Sequence, residues 1–199
     1  MEDTFKTIEK PSEGLFKDKG SRFISYAFQV NSESEISRIV QSIKKEHHSA
    51  RHHCYAWRLG ANKLLFRAND DGEPNFTAGK PILGQIQSFD LTNILIVVVR
   101  YFGGTLLGVS GLINAYRTAA LDAIHQAEIV ENLVEKWLLI EFDHGTMNEV
   151  MKIFKDEKLP QNDSQFDLRC IIKTHVRLCD LYRIEQALVK IEGVTVSEI

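Results

Sequence analysis

Six consecutive residues, Ile94-Leu95-Ile96-Val97-Val98-Val99, are all apolar. A continuous run of strand length, with no polar residue on alternate positions, reads as a strand covered on both faces. Asn93–Phe102 is therefore expected to be the buried central strand of a sheet, closed off by Gly103-Gly104. The run is also the longest apolar stretch of the chain. It falls well short of the ~20 residues that a membrane-spanning helix needs, so no membrane partner is expected.

The flanking pattern supplies the rest of a layered domain. Arg22–Val30 alternates, with Ile24, Tyr26, Phe28 and Val30 on one face of a strand. Ser32 and Glu35 form a capping-box pattern, and Ile36, Ile39, Val40 and Ile43 follow at helical spacing to about His47. Tyr55–Leu59 and Leu64–Ala68 read as a hairpin across Gly60-Ala61-Asn62. Lys80-Pro81 opens a short helix, since proline suits a first turn. Gly103–Gly111 reads as a glycine loop, and Leu112 to Ala127 as a second long helix.

At 199 residues the chain has room for two domains. A shift in composition over Glu128–Glu135 sets the expected boundary, giving domains 1–130 and 131–199. The second reads strand (Trp137–Phe142), helix (Thr146–Glu157), strand (Gln161–Phe166), strand (Arg169–Val176), helix (Leu181–Val189), strand (Val194–Ile199). This βαββαβ order is the ferredoxin-like plan, and the whole chain reads as α+β. The three cysteines, Cys54, Cys170 and Cys179, form no Cys-x-x-Cys pair. A reducing, cytoplasmic setting follows, with no disulfide-linked partner; the start Met-Glu-Asp-Thr-Phe-Lys carries no apolar signal core.

The net charge of −3 is unevenly spread. Residues 47–117 hold seven Lys and Arg against four Asp and Glu, with four histidines besides. That suits an anionic partner, although dedicated nucleic-acid domains are more basic. Three constellations fall in this stretch. In His47-His48-Ser49-Ala50-Arg51-His52-His53-Cys54, a helix would put His48 and His52 on one face as zinc ligands, whereas an extended chain puts His52 and Cys54 on one face and His53 on the other. Packing or anion contact is the favoured reading, and Cys54 reads as a core residue. Asp70, Asp71 and Glu73 are candidate Mg²⁺ ligands, or simply an acidic turn. Gly103, Gly104, Gly108 and Gly111 either bring backbone N–H groups to an anion or pack the following helix on the sheet. Neither the Rossmann nor the P-loop spacing is met, and Ser110 misses the nucleophile elbow by one position, so no cofactor and no catalytic serine are expected.

Taken together, Asp70-Asp71-Gly72-Glu73-Pro74, Thr77-Ala78-Gly79-Lys80-Pro81-Ile82-Leu83, Val97-Val98-Val99-Arg100-Tyr101-Phe102-Gly103-Gly104, Leu107-Gly108 and Ala115-Tyr116 resemble the IMPACT/YigZ family over nearly the whole chain. The resemblance implies an N-terminal IMPACT-type domain, similar to domain four of elongation factor G and to a ribosomal-protein domain. It also implies a ferredoxin-like C-terminal domain and a role linked to translation. The chain departs from the family pattern at Asn75-Phe76 (commonly Ser-Gly), at Ser110 (commonly Gly), and at Leu106 and Asn114 (commonly basic). Phe76 adds a stacking surface where the two lost cations weaken phosphate binding.

The leading expectation is a non-catalytic protein that binds RNA, the ribosome or a translation factor. Arg51, His52, His53, Lys80, Arg100 and Arg117 would contact phosphates, Tyr101 and Phe102 would stack on bases, and the four glycines would admit the backbone. One rival is a Mg²⁺-dependent enzyme acting on a phosphorylated small molecule, which requires the Asp70–Glu73 carboxylates and the glycine loop to converge. Another is a protein-binding adaptor docking through the acidic C-terminal domain.

Overall fold

The computed structural model describes residues 3–199, so the first two residues of the expected 1–130 domain lie outside it. The described chain forms two compact units: Phe5–Asn132, and Leu133–Ile199 joined by Asp3 and Thr4.

In the first unit, β1 (Thr4–Ile8) is followed by β2 (Ser12–Asp18), β3 (Ser21–Gln29), α1 (Glu33–Glu46), β4 (His52–Leu59), β5 (Leu65–Asn69), α2 (Gly79–Ser88), β6 (Ile94–Tyr101), α3 (Gly108–Gln126) and β7 (Ile129–Leu133). Five strands make one antiparallel sheet in the order β2-β3-β6-β4-β5, and β1 pairs with β7. β6 is central, and every residue from Ile94 to Arg100 is buried. Its alternation feeds two cores. Ile94, Ile96 and Val98 meet α2 and α3, while Leu95, Val97 and Val99 meet Ile36 and Ile43 of α1.

The capping box forms with one adjustment. Ser32 Oγ accepts the Glu35 N–H at 3.3 Å, but the Glu35 carboxylate reaches back to the N–H of Asn31, one residue before the cap. Such a cap contributes ~1 kcal/mol.

β1 and β2 were not expected from the sequence. The inward positions of β2 include Ser12 and Gly14, because α3 lies so close there that a Cβ on Gly14 would stand 2.4 Å from the Ala123 nitrogen. Ser12 and Ser25 reach the helix instead, donating to the carbonyls of Ala123 (2.7 Å) and Ala119 (2.6 Å). The same contact explains β3: its most buried side is Phe23, Ser25 and Ala27, while Ile24, Tyr26 and Phe28 are half-buried on the side of α1. β4 starts three residues before the expected Tyr55, so His52, His53 and Cys54 are extended chain, while His47 and His48 lie in the turn that ends α1. α1 ends at Glu46, so His48 and His52 do not share a helical face.

In the second unit, β8 (Glu135–Phe142), α4 (Met147–Asp156), β9 (Asp163–Phe166), β10 (Cys170–Arg177), α5 (Leu181–Val189) and β11 (Thr195–Glu198) give the antiparallel order β11-β8-β10-β9. This is the ferredoxin-like βαββαβ plan. Leu138, Ile140 and Phe142 alternate inward with Cys170, Ile172 and Val176 to meet Val150, Phe154, Ile184 and Leu188 of the helices. Among the described residues no helix is long and apolar enough to cross a membrane.

Candidate functional site

Where β6 leaves the sheet, alternation sends its last residues to opposite sides. Tyr101 turns to the α1 side, where its hydroxyl meets His47 Nδ1 at 2.8 Å; His47 Nε2 meets the Tyr26 hydroxyl, also at 2.8 Å. The expected pairing of Tyr101 with Phe102 as one stacking face therefore does not form. Arg100 turns toward α3. It is 6% exposed, and its Nη1 donates to Glu73 Oε1 at 2.7 Å. The Tyr116 hydroxyl donates to the same oxygen at 2.8 Å, and Cys54 Sγ stands 3.4 Å behind it. Burial pushes the Tyr116 hydroxyl and the Cys54 thiol well above their ordinary ranges, so both remain protonated donors. Arg100 is thus a neutralised buried partner and not the exposed phosphate contact expected from sequence. Its guanidinium lies 5.5 Å from the Phe23 ring and 5.6 Å from the Phe102 ring, and its Nε has no hydrogen-bond partner.

The acidic segment is divided among three tasks. Asp70 accepts the backbone N–H groups of Phe76, Ala78 and Gly79 at 2.8–3.0 Å, serving the start of α2, which has no side-chain cap of its own. Asp71 takes Lys44 Nζ and the His53 N–H, each at 2.7 Å. Burial alone would raise the Asp71 carboxyl, but Lys44 and His53 outweigh it and hold the group below the ordinary carboxylate range. Glu73 belongs to Arg100. Among the described residues no His, Cys, Asp and Glu gather into a metal-binding group, and the Mg²⁺ reading of Asp70, Asp71 and Glu73 loses its geometric basis. Asp71 and the glycine loop also line different cavities. Glu73 does share a cavity with Gly108, but there it is already paired with Arg100.

His52 and His53 face opposite ways, as an extended chain dictates. The His52 ring meets the Asp71 carbonyl oxygen at 2.9 Å, whereas the His53 ring is buried against the His47 carbonyl oxygen at 3.1 Å. His53 therefore cannot contact phosphate from solvent. Burial pushes its imidazole below the ordinary histidine value, against smaller raising effects of the His47 carbonyl and Asp71. A group with its folded pKa depressed binds more protons unfolded, so its contribution is intact above ~6.5 and is lost as pH falls through that value toward the lowered one. Urea unfolding midpoints should drop between pH 7.5 and pH 5.5, and His53→Gln should flatten that dependence. A midpoint equally pH-dependent in the variant would refute the assignment.

The glycines also divide. A Cβ on Gly103 would stand 1.9 Å from the Gly20 carbonyl carbon, so Gly103 packs on the β2–β3 turn and admits no ligand. Gly104 (φ 86°) and Gly108 (φ 71°) adopt left-handed conformations with open space around them. α3 begins at Gly108, four residues before the expected Leu112, which places Gly108 and Gly111 in its first turn. That turn has no side-chain cap and no acidic residue, leaving backbone N–H donors and the positive end of the helix dipole.

Together these elements enclose a cleft of about 510 Å³. Glu73 and Arg100 lie along it with Arg51 and His52; Pro74, Phe102 and Leu106–Val109 supply the remaining lining with Leu112. Phe102, Leu106 and Val109 are exposed at 52%, 83% and 60%, an apolar lip that the sequence reading missed beyond Phe102. Arg51 is exposed and pairs with no carboxylate among the described residues. Lys80 and Arg117 are exposed but do not line the cleft: Lys80 lies 5.6 Å over the Phe76 ring and Arg117 donates to Asn114. The signal for the buried network was the Tyr116 hydroxyl, because a buried phenol needs a partner.

Comparison with known proteins adds the following. The sequence model of the Impact N-terminal domain matches residues 19–124. The chain is 38% identical over 151 residues to the IMPACT family member YigZ of Escherichia coli, covering 74% of each protein. It is 30% identical over 176 residues to the IMPACT family member YvyE of Bacillus subtilis, covering 88% of this chain and 81% of that protein. A crystal structure described as a hypothetical protein superposes over all of this chain and 98% of its own, with a TM-score of 0.75 and 25% identity.

Proposed function

The chain belongs to the IMPACT family, and from the cleft described above we propose that it is a non-catalytic, cytoplasmic RNA-binding protein acting in translation. The observation that carries this reading is the cleft itself. It combines an unpaired cation, Arg51, and an uncapped helix N-terminus with the exposed Phe102 ring and an apolar lip. Single-stranded nucleic acid asks for those two kinds of surface, cationic for the backbone and aromatic for bases. The translation setting rests on the family resemblance.

Phe76 supports the same reading from outside the cleft. It is 68% exposed and sits at φ 65°, a left-handed conformation that costs a bulky residue about 1–2 kcal/mol. An exposed aromatic held at that cost, with Lys80 over its ring, suits a stacking platform.

The test is binding of a short labelled single-stranded RNA of mixed sequence as KCl is raised from about 50 to 200 mM. With Arg51, Lys80 and Arg117 on phosphates, log K should fall against log[salt] with a slope of about −2, and Arg51→Ala should reduce it by ~0.7. Phe102→Ala should weaken binding by about 1–3 kcal/mol. Phe76→Gly should weaken binding while stabilising the fold by ~1 kcal/mol, which misfolding cannot mimic. Absence of binding at low salt, or binding indifferent to salt and to Arg51→Ala, overturns the proposal.

A further inference from the structure

We propose that β5 is a self-association strand: two copies of this chain pair it antiparallel, across a two-fold axis at Phe66, and join their sheets into one. No residue of β5 lines the cleft assigned to RNA, so this inference stands apart from that reading. The two outer strands of the sheet, β2 and β5, are treated differently. On β2 the outward Leu15 N–H is taken by the Asp122 carboxylate at 2.8 Å, and Glu13 and Lys17 place charges beside it. Such devices keep an edge from pairing. On β5 they are missing. The His53 N–H points at the Asp71 carboxylate just past β5, so alternation along β4 turns Tyr55, Trp57 and Leu59 toward β5 as well. Their partners Asn69, Arg67 and Leu65 close the ladder, which leaves the N–H and C=O groups of Phe66 and Ala68 facing outward. Among the described residues nothing takes them. Leu64, Leu65 and Phe66 are 77%, 50% and 52% exposed, and Arg67 is the strand's one charge.

An open edge of this kind takes an extended strand, and β5 itself is complementary to it. A two-fold axis at Arg67 would set that residue against its own copy, and like charges directly opposite are unfavourable. An axis at Phe66 avoids this. It pairs Phe66 with Phe66 of the second copy, exchanging two backbone hydrogen bonds, and sets Arg67 opposite Leu65. Leu65 and Arg67 both lie along grooves beside α1 that share Glu33 as a wall. Arg67 and Glu33 are exposed, and neither forms an ion pair among the described residues. The arginine of one copy, opposite Leu65 of the other, therefore arrives beside an unpaired carboxylate, and symmetry makes this contact twice. One strand pair is a small interface, so the dimer is expected to be weak.

The experiment is analytical ultracentrifugation of the full chain over about a hundredfold range of concentration, reaching ~0.5 mM, where a weak dimer is populated. A monomer–dimer equilibrium is expected. Ala68→Pro removes only an outward N–H and leaves the β4–β5 ladder intact, as proline on an edge strand allows. Because the bond is lost from both copies, dissociation should strengthen about tenfold or more. Arg67→Glu should weaken the dimer about fivefold, and combining it with Glu33→Arg should restore it. Melting curves of dilute protein check that each variant is folded, and rescue by the charge swap is an effect that misfolding cannot produce. A single species of one chain's mass at every concentration overturns the proposal. So does a dimer indifferent to Ala68→Pro and Arg67→Glu, which would lie on another surface. A dimer lost in Arg67→Glu and not regained in the swap overturns the register at Phe66.

Discussion

Arg100→Ala should destabilise the protein by about 3–5 kcal/mol, a large part of the 5–15 kcal/mol typical of a domain. The substitution removes the cation from a pair in which both side chains are more than nine-tenths buried, leaving the Glu73 carboxylate with the Tyr116 hydroxyl alone. It also empties the space between the Phe23 and Phe102 rings. Urea unfolding at pH 7 measures the loss. Replacing both partners, as in Arg100→Met with Glu73→Leu, should recover much of it, because two well-packed apolar side chains avoid the desolvation of two charges. A single substitution costing less than ~0.5 kcal/mol, in the range of an exposed residue, would show that the pair is solvated. For this reason Arg51, and not Arg100, is the residue that tests RNA binding cleanly.

Gly103→Ala should be comparably severe, at about 3 kcal/mol or more. The added methyl would lie 1.9 Å from the Gly20 carbonyl carbon and 2.2 Å from the Ser21 nitrogen. Both are backbone atoms, so no rotamer change relieves the clash. Either the end of β6 or the β2–β3 turn has to move, with loss of the Ser21 Oγ contact to the Gly103 N–H. Gly104→Ala is the internal reference: its φ of 86° brings strain, yet nothing lies within 4 Å of the new methyl. Its expected cost is about 1–2 kcal/mol. Equal melting temperatures for the two variants would show that the β2–β3 turn yields to the added methyl at little cost.

These two residues also show how far the sequence could be read. The apolar run of β6, the alternation of β3 and the βαββαβ order of the C-terminal unit were legible because burial leaves a hydrophobic period. β2 was not, since Ser12 and Gly14 face the core where a helix approaches at backbone distance. The cleft was half legible. Arg51, His52 and Phe102 were picked out by residue type, and they do line it. The roles of Arg100, Gly103 and His53 were misread, because charge and glycine content carry no information about which partner lies across the fold. Glu73 was singled out as a metal ligand, while its partner Tyr116 read only as a core position of α3. A cross-strand and cross-helix pairing of that kind exists only in three dimensions.

The His47 ring between Tyr26 and Tyr101 has a consequence for the other face of the sheet. A neutral imidazole donates from one nitrogen and accepts at the other, and a phenol can do either. If the proton moves from Nδ1 to Nε2, both hydroxyls need only rotate, and the two hydrogen bonds survive with their directions reversed. A doubly protonated ring donates from both nitrogens, and both hydroxyls accept. Burial raises the Tyr26 hydroxyl above its ordinary value, with Glu13 and Glu46 adding to the effect, so that phenol keeps its proton. The end of α1 is thereby latched to β3 and β6 by a joint that survives exchange between the two tautomers of its central ring.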